Sequence, residues 1–327
     1  MLSGKSYLQI LFIVLGVIAL STLSYAYYYA KSNAKSYPLP LMNRISFDAK
    51  LKFIRENIDP DEVDTLIVGS SLALNNVQGA VIEDESTVVK DVLNLSMWSI
   101  GALQVEQLLE LSDAFPNLKR IVYSGQFSDF GNKLVFKNYD SDALQDYMAN
   151  TLNPIAHSRL LLDACKDIAF CKKREKEWTH PKYHTQKNFH FLKFDHTGSA
   201  PIEIHGKDRI QRRWESPHAP VQIAEAFEAL RRIAQKAKSD GVAFYFIQQP
   251  YRQPLIDKDK GVKHVMQKFA TGVKNLVNQE GGHFLSLHYL LKLDDTHFAD
   301  RSHLNANGSK KGSSEIAKFI DKSEGSK

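Results

Sequence analysis

Cysteine is nearly absent from this chain, with only Cys165 and Cys171 in 327 residues. That excludes a disulfide-dense scaffold and any cysteine-ligated metal centre. The pair itself reads either as one disulfide closing a short loop or as two buried thiols. Internal repeats, low-complexity tracts and long runs of one charge are also missing. The net charge of +5 is modest and not gathered into one stripe, so nucleic acid is excluded as the expected partner. Neither G-x-S-x-G, H-E-x-x-H nor G-x-G-x-x-G occurs, which removes several enzyme classes. The S-G-K-S at 3–6 mimics a phosphate loop but lacks an upstream glycine and strand, and it precedes an apolar segment.

What is present is an ordinary globular balance, 43% hydrophobic and 24% charged, with material for one large domain with insertions. Only the first 30 residues depart from it. Leu8 to Leu23 is almost wholly apolar and runs into Tyr25, Tyr27, Tyr28 and Tyr29, an interfacial belt at the end of a span-length helix. Ser24-Tyr25-Ala26 also offers the small residues of a signal-peptide cleavage site, so residues 1–30 are a transmembrane anchor or a signal peptide. Lys31, Lys35 and Arg44 follow the segment and leave orientation open by the positive-inside rule. Either reading places the remainder outside the cytoplasm, periplasmic or extracellular, and a single-pass anchor would hold it on the cell membrane.

Residues 31–60 read as a juxtamembrane linker with one short helix at 47–57. From 61 to 327, apolar runs of strand length alternate with helical patterns: 66–68, 88–95, 120–123, 242–250 and 283–287 are the expected strands. Helices are expected at 103–115, across 221–241, near 263–279 and over the last twenty residues. The alternation predicts an α/β fold, a three-layer sandwich around a central five-stranded parallel sheet, with ligands at the strand C-terminal ends. Residues 131–218 interrupt it as a long insertion, with helix expected at 141–152 and 158–170.

The first strand ends in Gly69-Ser70-Ser71. A glycine there lets the chain turn sharply, and Ser71 opening a helix would place its own amide where an oxyanion forms. The ordinary alternative is that Ser70 or Ser71 only caps the helix. A serine nucleophile needs a base, and the base an orienting acid. Asp300 and His303 stand three residues apart in F-A-D-R-S-H-L-N-A-N-G, a spacing that one helical turn would bring to one face. The spacing is not rare among 12 histidines, and Asp294 with His297 repeats it.

Taken with their order along the chain, these blocks resemble the SGNH (GDSL-like) hydrolase superfamily, in its membrane-anchored branch related to bacterial envelope O-acetyltransferases and acylation proteins. The resemblance rests on Gly69-Ser70-Ser71 and on Asp300-Arg301-Ser302-His303 with Leu304-Asn305 and Gly308, over residues 61–130 and 219–321. It implies Ser71 as nucleophile, His303 as base and Asp300 as its partner. It also implies an oxyanion hole from the amides of Ser71 and Gly101, with Ser96 and Ser99 as alternatives to Gly101. The asparagine that the third block usually carries is missing, leaving Gln126 or Ser128 near its place. The activity implied is acyl-ester hydrolysis or O-acyl transfer on an envelope or extracellular polysaccharide, without a cofactor. A transferase would need an acyl donor, passed across the membrane by a partner protein. The alternative is a catalytically inactive binding or assembly component of the same fold.

Three other features invite function. His180, His184, His190 and His196 lie close together but lack a helical ligand face or accompanying carboxylates, so no metal is expected there. Basic clusters beside Trp178 and Trp214 are either solvated faces or a carbohydrate or anionic-polymer groove in which the indoles stack on sugars.

Overall fold

A computed structural model of the chain describes residues 4–33, 37–137, 139–165 and 168–325. The apolar runs become strands because both faces of each are covered, as a parallel sheet requires. They are β1 (Thr65–Gly69), β2 (Val92–Asn94), β3 (Arg120–Gly125), β4 (Ala243–Gln248) and β5 (His283–Ser286). All pair in parallel, in the order β2-β1-β3-β4-β5.

Side chains alternate across the sheet with a period of two. Leu66, Val68, Ile121, Tyr123, Phe244 and Phe246 join one apolar cluster. That cluster is completed by Phe47 and Leu51 of the helix Ile45–Asn57, Val105 of Ala102–Leu108, Leu230 of Ala224–Ser239 and Phe269 of Lys260–Gln279. Ile67, Val122, Tyr245 and Ile247 join a second, with Ile82 from Gly79–Glu85 and Ile316 and Ile320 from Ala306–Gly325. From β1 the chain visits β2 on one side, then crosses back to β3 on the other. This reversal opens a crevice at the C-terminal ends of β1 and β3, where loops diverge and a ligand can enter.

Three expectations need correcting. β2 starts at Val92 rather than 88, because side chains take over the amides that would have paired: Val88 and Val89 donate to Ser86 Oγ and Lys90 to Asp64 Oδ2. Residues 37–60 are not a free tether. Tyr37 and Leu39 are buried, and the helix Ile45–Asn57 sinks Phe47, Leu51 and Ile54 into the larger cluster. The single helix expected at 158–170 is instead two, Pro154–Ala164 and Ile168–Trp178, with Lys166 and Asp167 outside the described residues. Cys165 and Cys171 are joined in a disulfide beside that break, with 5.7 Å between their Cα atoms.

The insertion is woven into the strand ends. Asn94 donates its amide to Thr197 O, so residues 195–199 cover the free edge of β2. Farther along, Ala200, Ile202 and Phe191 pack with Leu74 and Ala299 in a third cluster. Ahead of all this, the helix Gly4–Asn33 contains Lys5–Tyr25, which has mean hydropathy 2.1 and no buried residue. Among the described residues it is the one helix long and apolar enough to cross a membrane. Lys35 and the side chains of Tyr29 and Lys31 lie outside the description.

Candidate active site

The turn after β1 is built on Gly69, whose φ of +149° suits glycine and strains other residues. A Cβ there would sit 2.2 Å from the Ser124 carbonyl oxygen on β3 and 2.8 Å from Ala73 Cβ. Gly69→Ala is therefore expected to lose about 3 kcal/mol or more of stability, from overpacking and backbone strain together. A urea titration of the variant against the parent checks it; a loss under about 1 kcal/mol would mean the turn relaxes freely.

Ser70 then caps the six-residue helix Ser71–Asn76, its Oγ accepting the Leu72 amide at 3.3 Å. The two roles expected of these serines are thus divided: Ser70 is the cap, and Ser71 is the first residue of the helix. A helix's first amide has no carbonyl four residues back within the helix to bond. The Ser71 side chain is only partly buried, and its Oγ lies 2.9 Å from His303 Nε2.

His303 comes from a loop, not from the helical turn that the three-residue spacing suggested. Asp300 Oδ1 accepts the amides of Ser302 and His303 at 2.9 and 2.7 Å, curling residues 300–303 back on the carboxylate. The Ala299 amide donates to His303 O, and Phe298 bridges to Leu304, closing the loop at its base. The curl sets His303 Nδ1 2.9 Å from Asp300 Oδ2. Burial pushes the Asp300 carboxyl up, but the adjacent His303 ring and the hydrogen bonds from His303 and Ser302 outweigh it. The group is held well below the usual carboxylate range. An ionised acid on Nδ1 leaves Nε2 as the acceptor facing Ser71 Oγ.

The second Asp-x-x-His also forms a pair, with His297 Nδ1 2.8 Å from Asp294 Oδ1. Asp294 is exposed, and Ser71 hydrogen-bonds His303, not His297.

The expected oxyanion donors fare differently. Gly101 is buried and gives its amide to Gln104 Oε1 at 3.3 Å. Gln126 is buried too: its Nε2 donates to Gln249 O and its Oε1 accepts the Phe127 amide. The amide of Ser96 is taken by Asn94 Oδ1, and Ser99 sits at φ +56°. Of the four groups expected, the Ser71 amide and the half-buried Ser128 hydroxyl have no such partner among the described residues.

Several residues of the site carried no sequence signal that singled them out. Asn76, at the far end of the Ser71 helix, ties that helix to the histidine loop: its Nδ2 donates to Ser302 O and its Oδ1 accepts the Leu304 amide. The adjacent Asn75-Asn76 in an apolar helix is the one clue that polar anchoring was needed. Phe189 sets its ring edge-on to His303 at 4.6 Å, and the Arg213 guanidinium lies 4.9 Å over Phe189. Both come from the aperiodic insertion.

Asp129 is buried beneath the same turn, accepting the Gln126 amide and bonded to the Ser70 side chain. Burial raises its pKa to about 7, with those two hydrogen bonds opposing. A carboxyl raised in the folded state stabilises most below its unfolded pKa near 4, and that contribution drains away as pH rises toward 7. Asp129→Asn should therefore flatten the pH dependence, gaining on the parent by roughly 1–3 kcal/mol between pH 5 and pH 8. Chemical denaturation at the two pH values measures this. An unchanged difference would place the titration elsewhere.

Trp214 does not form a sugar platform. Trp214 is buried with Arg252 and Arg209 over its ring at 3.4 and 3.9 Å, so its faces are filled by guanidinium groups. Trp178 stacks on Tyr183 at 5.9 Å. The four clustered histidines each have a separate partner: Lys182 N for His180, Trp178 O for His184, Asn188 for His190 and Glu83 for His196. Among the described residues no group of three or more His, Cys, Asp or Glu is placed to hold a metal. Set beside known proteins, the chain matches no protein-family model and no curated protein.

Proposed function

We propose that this protein is a serine-dependent acyl-ester hydrolase or O-acyltransferase of the SGNH type, acting on an envelope or extracellular polysaccharide. One observation carries the reading: a serine, an imidazole and a buried carboxylate in hydrogen-bonded sequence, 2.9 Å at each link, at the strand-end crevice. On this reading the fold is the superfamily's three-layer sandwich, and the N-terminal helix crosses the membrane once with the domain on the periplasmic or outer side.

Ser71 Oγ attacks the ester carbonyl as its proton passes to His303 Nε2. Asp300 stabilises the imidazolium without taking the proton. The tetrahedral oxyanion rests on the Ser71 amide, with the Ser128 hydroxyl as the second uncommitted donor. His303 then protonates the leaving alcohol, and the acyl group stays on Ser71. Water or a sugar hydroxyl, deprotonated by the same imidazole, collects it. No cofactor enters any of these steps. In the transferase version a membrane partner protein supplies the acyl donor.

A fluorophosphonate probe tests the reading. A stable adduct on Ser71, located by peptide mapping, is the expected result; a folded protein that takes no label, or takes it on another serine, overturns it. A second reading, a catalytically inactive SGNH-fold binding or assembly component, is favoured by the commitment of Gly101 and Gln126 to protein partners. Acetate release with and without excess oligosaccharide separates hydrolysis from transfer.

A further inference from the structure

Arg213 stands beside the site, ion-paired with buried Asp300 yet partly exposed. Its side chain is 30% exposed, and its Nη1 lies 3.6 Å from Asp300 Oδ2, too far for a hydrogen bond. Asp300 is in any case occupied, by the His303 ring and the amides of Ser302 and His303. The Arg213 backbone amide donates to Ile210 O, but its guanidinium, which carries five N–H donors in a fixed fork, makes no hydrogen bond to a described residue. Its guanidinium carbon lies 4.9 Å from the centre of the Phe189 ring, and Phe189 in turn abuts His303. A cation–π contact of this kind holds the group in place without consuming its N–H donors.

Other cations gather at the same mouth. Arg212 is exposed beside it, and Lys182 lies 4.7 Å over Tyr183, which stacks on Trp98; Trp98 in turn meets His190 edge-on at 5.4 Å. Lys182 is joined to this mouth through Tyr183, Trp98, His190 and Phe189, whose rings meet in that order, and Arg212 adjoins Arg213 in the chain. Burial first, then Arg301 and Arg213, lower the pKa of His218. Nearby acids are already matched: Glu215 pairs with Lys258 at 3.7 Å and Asp295 with Arg252 at 2.8 Å.

We propose that Arg213, seated on Phe189 and flanked by Arg212, Lys182 and Arg301, receives an anionic group of the substrate, a carboxylate or phosphate close to the ester that Ser71 attacks. The polymer is then an acidic one, a uronate glycan or a phosphodiester-linked chain. This rests on the serine acyl-transfer reading for its chemistry, though the binding itself does not require turnover. Planar bidentate recognition of an oxyanion is what a free guanidinium edge provides, and such charge-assisted bonds are roughly twice as strong as neutral ones.

The test uses the full chain in detergent carrying Ser71→Ala, titrated calorimetrically with an oligogalacturonide, a glycerol-phosphate oligomer and a neutral maltooligosaccharide. One anionic oligomer is expected to bind at least tenfold more tightly than the neutral one, weakening as salt rises; which of the two it is names the source of the anion. Adding Arg213→Gln should weaken that binding roughly 10- to 100-fold, while Arg213→Lys recovers part of it. A thermal melt of each variant shows that the fold is kept. Equal affinity for all three oligomers, or no effect of Arg213→Gln in a folded protein, overturns the proposal. Fluorophosphonate labelling of the unsubstituted chain, run alongside, separates the two failures. Labelling without anion preference defeats the receptor alone, and anion binding without labelling defeats only the serine chemistry.

Discussion

Replacing Ser71 by alanine is expected to lower ester turnover by roughly 10³-fold or more and to abolish fluorophosphonate labelling, because the hydroxyl hydrogen-bonded to His303 is removed. The residual rate would come from binding and the oxyanion donors, which survive the change. Ser70→Ala is the necessary contrast. Ser70 caps the helix and bonds Asp129, so its loss should cost about 1 kcal/mol of stability and leave labelling intact. Single-turnover rates on an activated acetate ester, with melting curves for both variants, give the two readouts. If Ser70→Ala rather than Ser71→Ala removes the label, the assignment of the nucleophile is reversed.

Asp300→Asn should be nearly as damaging, with a fall of roughly 10³–10⁴-fold in turnover. The reason lies in the curl of residues 300–303. An asparagine oxygen can still accept the Ser302 and His303 amides, which turns its NH₂ toward the imidazole. Nδ1 must then be the acceptor and Nε2 must carry the proton, so the ring can no longer receive one from Ser71. The fold should survive this change while the chemistry does not. Asp294→Asn alters the exposed pair that does not touch Ser71 and should turn over within about twofold of the parent, an effect of surface size. Loss of activity in Asp294→Asn with retention in Asp300→Asn would move the base to His297.

Much of this was legible in the sequence, for identifiable reasons. Parallel strands buried on both faces write themselves as apolar runs, and β1, β3, β4 and β5 appear close to where those runs stand. Gly69-Ser70-Ser71 was legible because a tight strand-to-helix turn restricts residue type. Asp300 and His303 were legible as a spacing, but the reason given for the spacing was wrong. A carboxylate collecting two backbone amides curls the loop, and no helix is involved. Other features were illegible because they depend on distant partners. Nothing in an aperiodic insertion marks Phe189 as the residue that lands on a histidine loop some hundred positions later, and Arg213 was legible only as part of the basic cluster beside Trp214. Trp214 looked like a sugar-stacking ring until Arg252, from the loop after β4, came to lie over it. Gln126 looked like an oxyanion donor until Gln249 supplied a closer acceptor.

The hydrogen bond between Ser71 and His303 joins residues 232 positions apart. A polypeptide made from its N-terminus therefore completes the Ser71 turn more than two hundred residues before His303 is synthesised. Contacts of such long sequence separation form slowly, since most of the chain's loop entropy must be lost before they are made. Until the loop carrying His303 docks, the Ser71 hydroxyl lacks its imidazole partner. On the proposed serine acyl-transfer reading, acyl transfer would thereby be withheld from unfinished molecules, and reactivity toward an electrophilic probe would report on the completion of folding as well as on chemistry.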